Sequence, residues 1–352
     1  MGANRPDGYS AGRRTGDGDG SRAGGATIAT SIGADGRVQI RDLNQPELPP
    51  LEVDPKGGQI TALTFDAKGQ RLATGNMNGR VRIWDLTRSP PTPTDRELQH
   101  EGRVTDLAFS PDGRWLVSSG VDEYVIVWDT AHPDRIADKA KGDPQGVNSV
   151  VFHPEGRWLA AAGSEGDIAI WTDLTNFARP PETTFPDHEG RAIDMAIDPQ
   201  GRWLASAGFD GTIKLWRLDD IPVGPDDPDP KPDRILTAEE GGILSISFSR
   251  DGNTLASAGN DGAIRLWDLT RPESDARLLI SDELTLSAIA FSESGELVVR
   301  SGDVVHLWNT SPEYLAEAVC ARVWRNLTDD EWAKPIGDGA NVRTCDNRPI
   351  GS

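Results

Sequence analysis

The sequence predicts an all-β repeat array, and three observations carry that prediction. A similar segment recurs seven times: GRVQIRDL (36–43), GRVRIWDL (79–86), EYVIVWDT (123–130), GDIAIWTDL (166–174), GTIKLWRL (211–218), GAIRLWDL (262–269) and DVVHLWNT (303–310). Its aligned positions Arg41, Trp84, Trp128, Trp171, Trp216, Trp267 and Trp308 are spaced by 43, 44, 43, 45, 51 and 41 residues, a period that means an array, solenoid or propeller. Second, the stretches before each segment alternate apolar and polar residues and end in tight turns. Third, nothing between residues 26 and 310 reads with helical periodicity.

The elements of a unit follow in order. A first strand alternates and runs into a turn, as in VTDLAFSPDG (104–113), VNSVVFHPEG (147–156) and ILSISFSRDG (243–252). Period-two alternation bounded by Pro-Asp-Gly and Asn-Asp-Gly reads as short antiparallel strands. A second strand is made of small residues, as in RLATG (71–75), RWLASAG (202–208) and NTLASAG (253–259). The Trp-bearing segment is the third. A weaker outer strand fits at RELQ, TTFP, RILT and ARLLI. Counted this way, first and outer strands occur in six units and second and third strands in seven. The shortfall falls at the join: nothing before Ala26 supplies a first strand, and after Trp308 the pattern turns helical. Either the chain is a fragment of a longer one or the ring closes with a defective seam.

These residues resemble the WD40-repeat proteins. The WD pairs Trp84-Asp85, Trp128-Asp129 and Trp267-Asp268 carry the resemblance, with eroded Gly-His signatures at His100-Glu101-Gly102 and His188-Glu189-Gly190. The match spans roughly 26–310. It implies a seven-bladed β-propeller whose first blade is incomplete. A blade cannot bury both faces alone, so blades stack and the ring closes on itself. The resemblance further implies a buried network of Ser or Thr, His and Asp around each repeat Trp, whose indole N–H needs an acceptor. The best copies are His188, Ser206, Asp210 and Trp216, then His100, Ser118, Asp122 and Trp128. A third has Ser257, Asp261 and Trp267, with Glu239 where His would stand. Ala161 takes the Ser position and Arg41 the Trp position in weaker copies, and fewer satisfied groups imply softer blades there. Trp84, Trp171 and Trp308 complete the set of repeat tryptophans.

Composition narrows the partners. In 352 residues, 36 Lys+Arg against 56 Asp+Glu give a net charge of −20. That balance argues against direct binding to nucleic acid, whose phosphates need clustered cations, and against an anionic membrane. No stretch approaches 18 consecutive apolar residues and no signal-peptide core opens the chain, so a cytoplasmic protein, a monomer, is expected. Two cysteines make no disulfide framework.

Residues 1–25, rich in Gly, Arg, Asp and Ser, have almost nothing to bury and read as disordered. They stand where a strand and turn belong, which raises an altered reading frame or start. Insertions follow the third strand at 88–97, 131–144, 175–187 and 219–234. The Pro- and Asp-rich run 219–233 reads as an extended solvated loop or, more sharply, as an acidic contact for a basic partner. The tail, 311–352, reads as helical. Ser311-Pro312 opens a helix with the stripe Leu315, Val319 and Val323, and Thr328 to Glu331 form a capping box ahead of Trp332. The string from Cys320 through Arg325-Asn326-Leu327-Thr328 and Glu331-Trp332 to Cys345 resembles the short tail of many bacterial WD40 proteins. Those often carry a signalling ATPase, kinase or protease domain upstream, and the resemblance implies a bacterial source. A Cys320–Cys345 bridge would stabilise the tail by roughly 3 kcal/mol, whereas a cytosolic setting keeps both thiols reduced.

Catalytic chemistry is not spelled out. Gly8-Tyr9-Ser10-Ala11-Gly12 has the G-x-S-x-G letters without the strand and helix that strain such a turn. Asp17, Asp19 and Ser21 lack the bidentate Glu of a calcium loop. Neither a phosphate loop nor a dinucleotide fingerprint occurs. His100 and His188 have structural posts, His153 takes a turn-serine slot, His132 lies in a loop and His306 on a strand. Trp115, Trp158 and Trp203 recur after Gly-Arg and read as packing or, if exposed, as an aromatic contact patch. Inner strands offer Thr, Ser, Ala and the single acids Asp106 and Asp194. The expectation is therefore a non-catalytic interaction scaffold for a protein partner, the sensor part of a bacterial signalling system, with no catalytic, cofactor or metal residues. The alternatives are a propeller enzyme with a site in the central channel, or a degenerate fragment of a longer effector protein.

Overall fold

In the computed structural model, residues 27–309 are described except 33–35, 43–44, 46, 95–97, 133–137, 222–229, 239–240, 272–275, 281–285, 292–294 and 302–303. The readings of 1–25 and 311–352, the Cys320–Cys345 pair and Glu239 lie outside the described residues, as do the side chains of His306 and Trp308.

The described chain is a succession of seven antiparallel sheets. The first contains β1 (Thr27–Ile32), β2 (Arg37–Asp42) and β3 (Leu51–Val53). The second contains β4 (Ile60–Phe65), β5 (Arg71–Asn76) and β6 (Arg80–Asp85), with its outer position split between β7 (Thr92–Pro93) and β8 (Leu98–Gln99), both paired to β6. The third is β9 (Val104–Phe109), β10 (Trp115–Gly120), β11 (Tyr124–Asp129) and β12 (Asp138–Lys141). The fourth is β13 (Val147–Phe152), β14 (Leu159–Gly163), β15 (Asp167–Trp171) and β16 (Thr183–Pro186). The fifth is β17 (Ala192–Ile197), β18 (Trp203–Gly208), β19 (Thr212–Arg217) and β20 (Arg234–Thr237). The sixth is β21 (Ile243–Phe248), β22 (Thr254–Gly259), β23 (Ala263–Asp268) and β24 (Arg277–Ile280). The last is β25 (Leu286–Phe291), β26 (Glu296–Ser301) and β27 (Val304–Asn309).

The small-residue second strands have a physical reason. From Leu159 to Gly163 every residue of β14 is buried, and β18 is buried from Leu204 to Gly208. A strand covered on both faces by neighbouring sheets can hold only Ala, Ser, Gly and an occasional Leu at close packing. Apolar clusters accordingly lie between sheets. Leu116, Ile126 and Trp128 of the third sheet pack with Ala73, Val81 and Ile83 of the second. Trp216 and Leu204 of the fifth pack with Ile168, Ile170 and Phe185 of the fourth.

Three details differ from the pattern read in the sequence. Of the outer strand expected at RELQ, Leu98 and Gln99 form β8 among the described residues, and β7 forms ahead of it. The long insertions contain two single 3-10 turns, Leu174–Asn176 and Leu218–Asp220, the first capped by Asp173 accepting from the Thr175 amide. The outer strand β12, polar in sequence, is set by its partner β11, and the short β3 pairs with β2. Trp158 is buried, while Trp115 and Trp203 are half-buried and pack against the clusters between sheets. The three tryptophans therefore serve packing.

Candidate functional site

The chemistry-bearing residues collect at two places: around the repeat tryptophans, and along the first strands where one sheet meets the next. In the third sheet the Trp128 indole donates to Ser118 Oγ at 3.0 Å, and His100 Nε2 lies 2.8 Å from that oxygen. His100 Nδ1 faces both Asp122 oxygens at 2.9 and 3.0 Å. A carboxylate only accepts, so Nδ1 carries the hydrogen. Asp122 also accepts from the Glu101 amide. Burial alone would raise the Asp122 carboxyl; the hydrogen bonds from His100 and from the Glu101 and Tyr124 amides outweigh it and hold the group below its ordinary value.

The fifth sheet repeats this arrangement and adds to it. Trp216 donates to Ser206 Oγ at 3.4 Å, His188 Nε2 is 3.1 Å from Ser206, and His188 Nδ1 is 3.0 Å from Asp210. Gly208 must be glycine, because a Cβ there would run into His188 Nδ1 and Asp210. Burial raises Asp210, but the amide and hydroxyl of Thr212 and then His188 bring it below the usual range. Beside it lies Asp187, fully enclosed, with His188 Nε2 at 3.2 Å and Lys214 Nζ at 3.5 Å. His188 Nε2 is shared with Ser206, so neither Asp187 oxygen has a well-aligned donor. Burial pushes Asp187 up, against the pull of His188, Ser206 and Lys214.

Other sheets reach the same end differently. In the sixth, Trp267 donates to Ser257 at 2.9 Å, and Asp261 is partnered by Arg265 Nη2 at 2.8 Å. Arg265 thus gives Asp261 the side-chain hydrogen-bond donor that His gives elsewhere. Asp261 is raised by burial and lowered further by Arg265 and the Ala263 amide. In the second, Thr74 supplies the hydroxyl for Trp84 at 3.2 Å. In the fourth, Ala161 supplies none, and Trp171 donates to the Arg179 carbonyl at 3.4 Å while its ring leans on Phe177 at 5.2 Å. In the first, Ser31 Oγ is buried without a partner, and Arg41 in the Trp position is exposed. Arg265, Thr74 and the Asp187–Lys214 pair were missed in the sequence. Counting back from each Trp would have found them: Arg265 and Lys214 both stand two residues before it, and Thr74 stands ten before.

The inner-strand acids are occupied. Asp106 Oδ2 accepts from the Val150 amide and the Ser149 hydroxyl of the next sheet, both at 3.0 Å. Ser149 accepts from the Met195 amide at 3.2 Å, Asp194 from the Ile246 amide at 2.8 Å, and Ser245 from the Ile289 amide at 3.3 Å. One residue earlier in each strand, Thr61, Thr105 and Asn148 donate to Val104, Val147 and Ala192 carbonyls. Two parallel belts therefore tie successive sheets together. At the turns on the opposite ends of these strands, Arg71 joins Asp66 to the Gly113 carbonyl, and Arg202 joins Asp198 to the Asp251 carbonyl.

The remaining histidines do not converge. His153 takes the Glu155 amide on Nδ1 and stands edge-on to Trp158 at 5.0 Å, and burial followed by Arg157 lowers its pKa. His132 caps Asp129 in an exposed loop. Among the described residues no group of three or more His, Cys, Asp or Glu is placed to hold a metal ion, and no helix is long and apolar enough to cross a membrane. Two small, partly open cavities among the described residues measure about 110 and 100 Å³, the first lined by Asp143, Asp167 and Lys141, the second by Trp115 and Arg114.

Stacked four-stranded sheets, each with a buried Trp on its third strand and tied to the next along the inner strand, define a β-propeller. The model of the WD domain, G-beta repeat matches residues 52–85, 94–129, 139–172, 179–217 and 230–268. That is over half of the chain, which therefore belongs to the WD40-repeat family. The last sheet, and all of the first but Glu52 and Val53, lie outside the matched segments. The chain superposes on the β-propeller domain of Cps50 (Swd1) from Myceliophteria thermophila with a TM-score of 0.70 at 17% identity, covering 81% of this chain and 94% of that one. Among curated relatives, Protein HIR1 of Candida albicans is 34% identical over 98 residues, 19% of this chain and 11% of that protein. Human apoptotic protease-activating factor 1 is 34% identical over 109 residues, 29% of this chain and 8% of its own length. The target of rapamycin complex subunit LST8 of Saccharomyces cerevisiae is 36% identical over 76 residues, 21% and 24% of the two chains. The matches thus span a quarter or less of each relative, and these relatives are fungal and human, so the bacterial source implied by the tail does not come from them.

Proposed function

We propose that this chain is a non-catalytic protein-interaction platform: a seven-bladed ring that binds a protein partner on the face formed by the turns between second and third strands. One observation carries this reading. At equivalent positions in the third and fifth sheets, those turns expose Val121 and Phe209, 45% and 54% accessible. Both apolar side chains sit directly before the Asp of a fully formed His–Asp pair, which holds the turn in place. A rigid turn presenting an apolar side chain is a low-entropy anchor for a partner surface. Support against a channel enzyme comes from the inner acids, since Asp106 and Asp194 are engaged by the backbone of the next sheet.

Within this reading the tail string Cys320 to Cys345 supports the finer role of sensor arm in a bacterial signalling protein, located in the cytoplasm and acting as a monomer. The HIR1, apoptotic factor and LST8 similarities support the coarser role alone. The test is affinity capture from the source organism with the parent chain and with Val121→Asp and Phe209→Asp variants that retain the parent melting temperature. A protein enriched by the parent and lost with both variants is expected. Retention of the same proteins by both variants would move the partner site off this face.

A further inference from the structure

The fourth sheet lacks more of the polar network than its serine, and the missing pieces leave a space. In the fifth sheet Asp187, His188, Ser206 and Lys214 stand 29, 28, ten and two residues before Trp216. The same positions before Trp171 are Gly142, Asp143, Ala161 and Ala169. All four line the cavity of about 110 Å³ between the third and fourth sheets. One water needs only roughly 10–15 Å³ of such space, so the cavity has room for a group of several non-hydrogen atoms. Two residues before the neighbouring tryptophans stand Arg82, Ile126 and Arg265, so from the second sheet to the sixth the fourth alone has so short a side chain there.

Charge decides what fits. In the fifth sheet the equivalent positions bring the Lys214 ammonium to 3.5 Å from the enclosed Asp187. In the fourth the cation is gone, and the carboxylates of Asp143 and Asp167 line the wall. Asp143 accepts the Gln145 and Glu165 amides. Burial, then Asp143 and Glu165, hold the Asp167 carboxyl above its ordinary value, as like charges do without a cation among them. Lys141, the one cation on the wall, is paired with Glu123 at 3.2 Å. The loop carrying Asp143 runs on to Gly146, where a Cβ would sit 3.3 Å from Val121 Cα. The cavity therefore stands beside one of the two exposed apolar anchors.

We propose that this cavity receives the ammonium of a lysine side chain from the protein partner, supplied in trans where the fifth sheet supplies Lys214 in cis. Resting on the platform reading above, this gives the contact its chemistry: a lysine entering between Asp143 and Asp167, next to an apolar group that meets Val121.

The probe is n-butylammonium, the end of a lysine side chain, titrated into the isotope-labelled full chain and followed by amide chemical shifts, with n-butanol as its neutral counterpart. Saturable shifts at Gly142, Asp143, Gly163 and Asp167 are expected with the amine. The alcohol should bind about fivefold more weakly or not at all, the factor that a partly exposed ion pair carries. Asp167→Asn should weaken the amine by about the same factor, and Ala169→Lys, which places an ammonium there in cis, should abolish its binding. Equal binding of amine and alcohol, unmoved amides at these positions, or undiminished binding in the variants overturns the proposal. Should Ala169→Lys fail to fold, Asp167→Asn decides. Capture then identifies the source of the ammonium: a protein enriched by the parent chain should be lost with Ala169→Lys, and equal capture overturns its assignment to the partner. The probe needs no partner, so its failure strikes this inference alone, whereas undiminished capture by Val121→Asp and Phe209→Asp strikes the platform reading.

Discussion

The fourth and fifth sheets are neighbours with the same strand order, yet they hold their tryptophans by different means. In the fifth, the indole of Trp216 ends a chain of polar groups running through Ser206 and His188 to Asp210. In the fourth, Ala161 removes the hydroxyl, and Asp143 stands where His would be, accepting the Gln145 and Glu165 amides instead. Trp171 is nevertheless as buried as Trp216. Its anchor is an Ala-rich second strand, the ring of Phe177 and one carbonyl. The propeller thus requires a buried third-strand Trp with some acceptor, and the polar network is one of several ways to provide it. What the network adds is a rigid turn, because the Asp at its end also receives backbone amides.

The largest expected effect tests the shared part. Trp216→Ala and Trp171→Ala should each destabilise by about 3–5 kcal/mol, the range for deleting a buried aromatic. Sheet-resolved hydrogen exchange reads it, since stability in stacked repeats is largely local. A Trp171→Ala cost under 1 kcal/mol would show that the fourth sheet is held by something other than its Trp.

The next effect separates the two sheets. His188→Ala strips Asp210 and Ser206 of a partner and should cost about 2–3 kcal/mol. Asp143→Ala, at the same repeat position, should cost about 1 kcal/mol or less, because Asp143 is only half-buried and water can meet the freed amides. It should also relieve Asp167, whose carboxyl burial raises first and Asp143 and Glu165 raise further. Equal costs in thermal melts would erase the distinction between the sheets.

Asp187 gives the fifth sheet a pH signature from a fully enclosed carboxyl, whereas the raised Asp167 of the fourth is only half-buried. Its folded-state pKa is raised by burial, so ionisation subtracts from stability at neutral pH. That loss is relieved as pH falls through the raised value and is gone below the unfolded value near ~3.9. Asp187→Asn should therefore raise the melting temperature by about 1–3 °C at pH 7, with the gain shrinking to nothing in acid. Asp122, Asp210 and Asp261 run the opposite way. Their folded values are lowered, so their contribution is present above the unfolded value and lost as pH falls through the folded one. A gain from Asp187→Asn that stays constant with pH would assign it to packing instead.

The strand order and the networks of the third and fifth sheets were legible because they rest on local spacing: alternation, turn residues and a fixed interval back from Trp. The belts were not. Asp106, Ser149, Asp194 and Ser245 look like unremarkable inner-strand residues, and only stacking places each against the next sheet's amide. Arg265 was hidden for a related reason. It lies on the same strand as Trp267, whereas the His it replaces comes from the preceding loop, so the substitution moves the partner to a different element. The outer strand β12, DKAK, carries no β signal and takes its conformation from pairing with β11.

The smallest effect is the sharpest test of whether the network acts as a unit. Ala161→Ser alone would place a hydroxyl near the Trp171 indole, whose present bond to Arg179 is long at 3.4 Å. The hydroxyl's own hydrogen would then be buried without an imidazole to receive it. The gain and the cost nearly cancel, and the net change should stay within about 1 kcal/mol. Asp143→His alone should mildly destabilise, since it removes the acceptor of two amides and adds an imidazole without its serine. Together the two substitutions supply both ends of the Ser–His contact, with Glu165 in the Asp position. Their double-mutant cycle should show a favourable coupling of about 0.5–3 kcal/mol. Zero coupling would mean that the fourth sheet's backbone cannot bring positions 143 and 161 to the separation seen for His188 and Ser206, and that the packing of its Ala-rich second strand has fixed a different spacing.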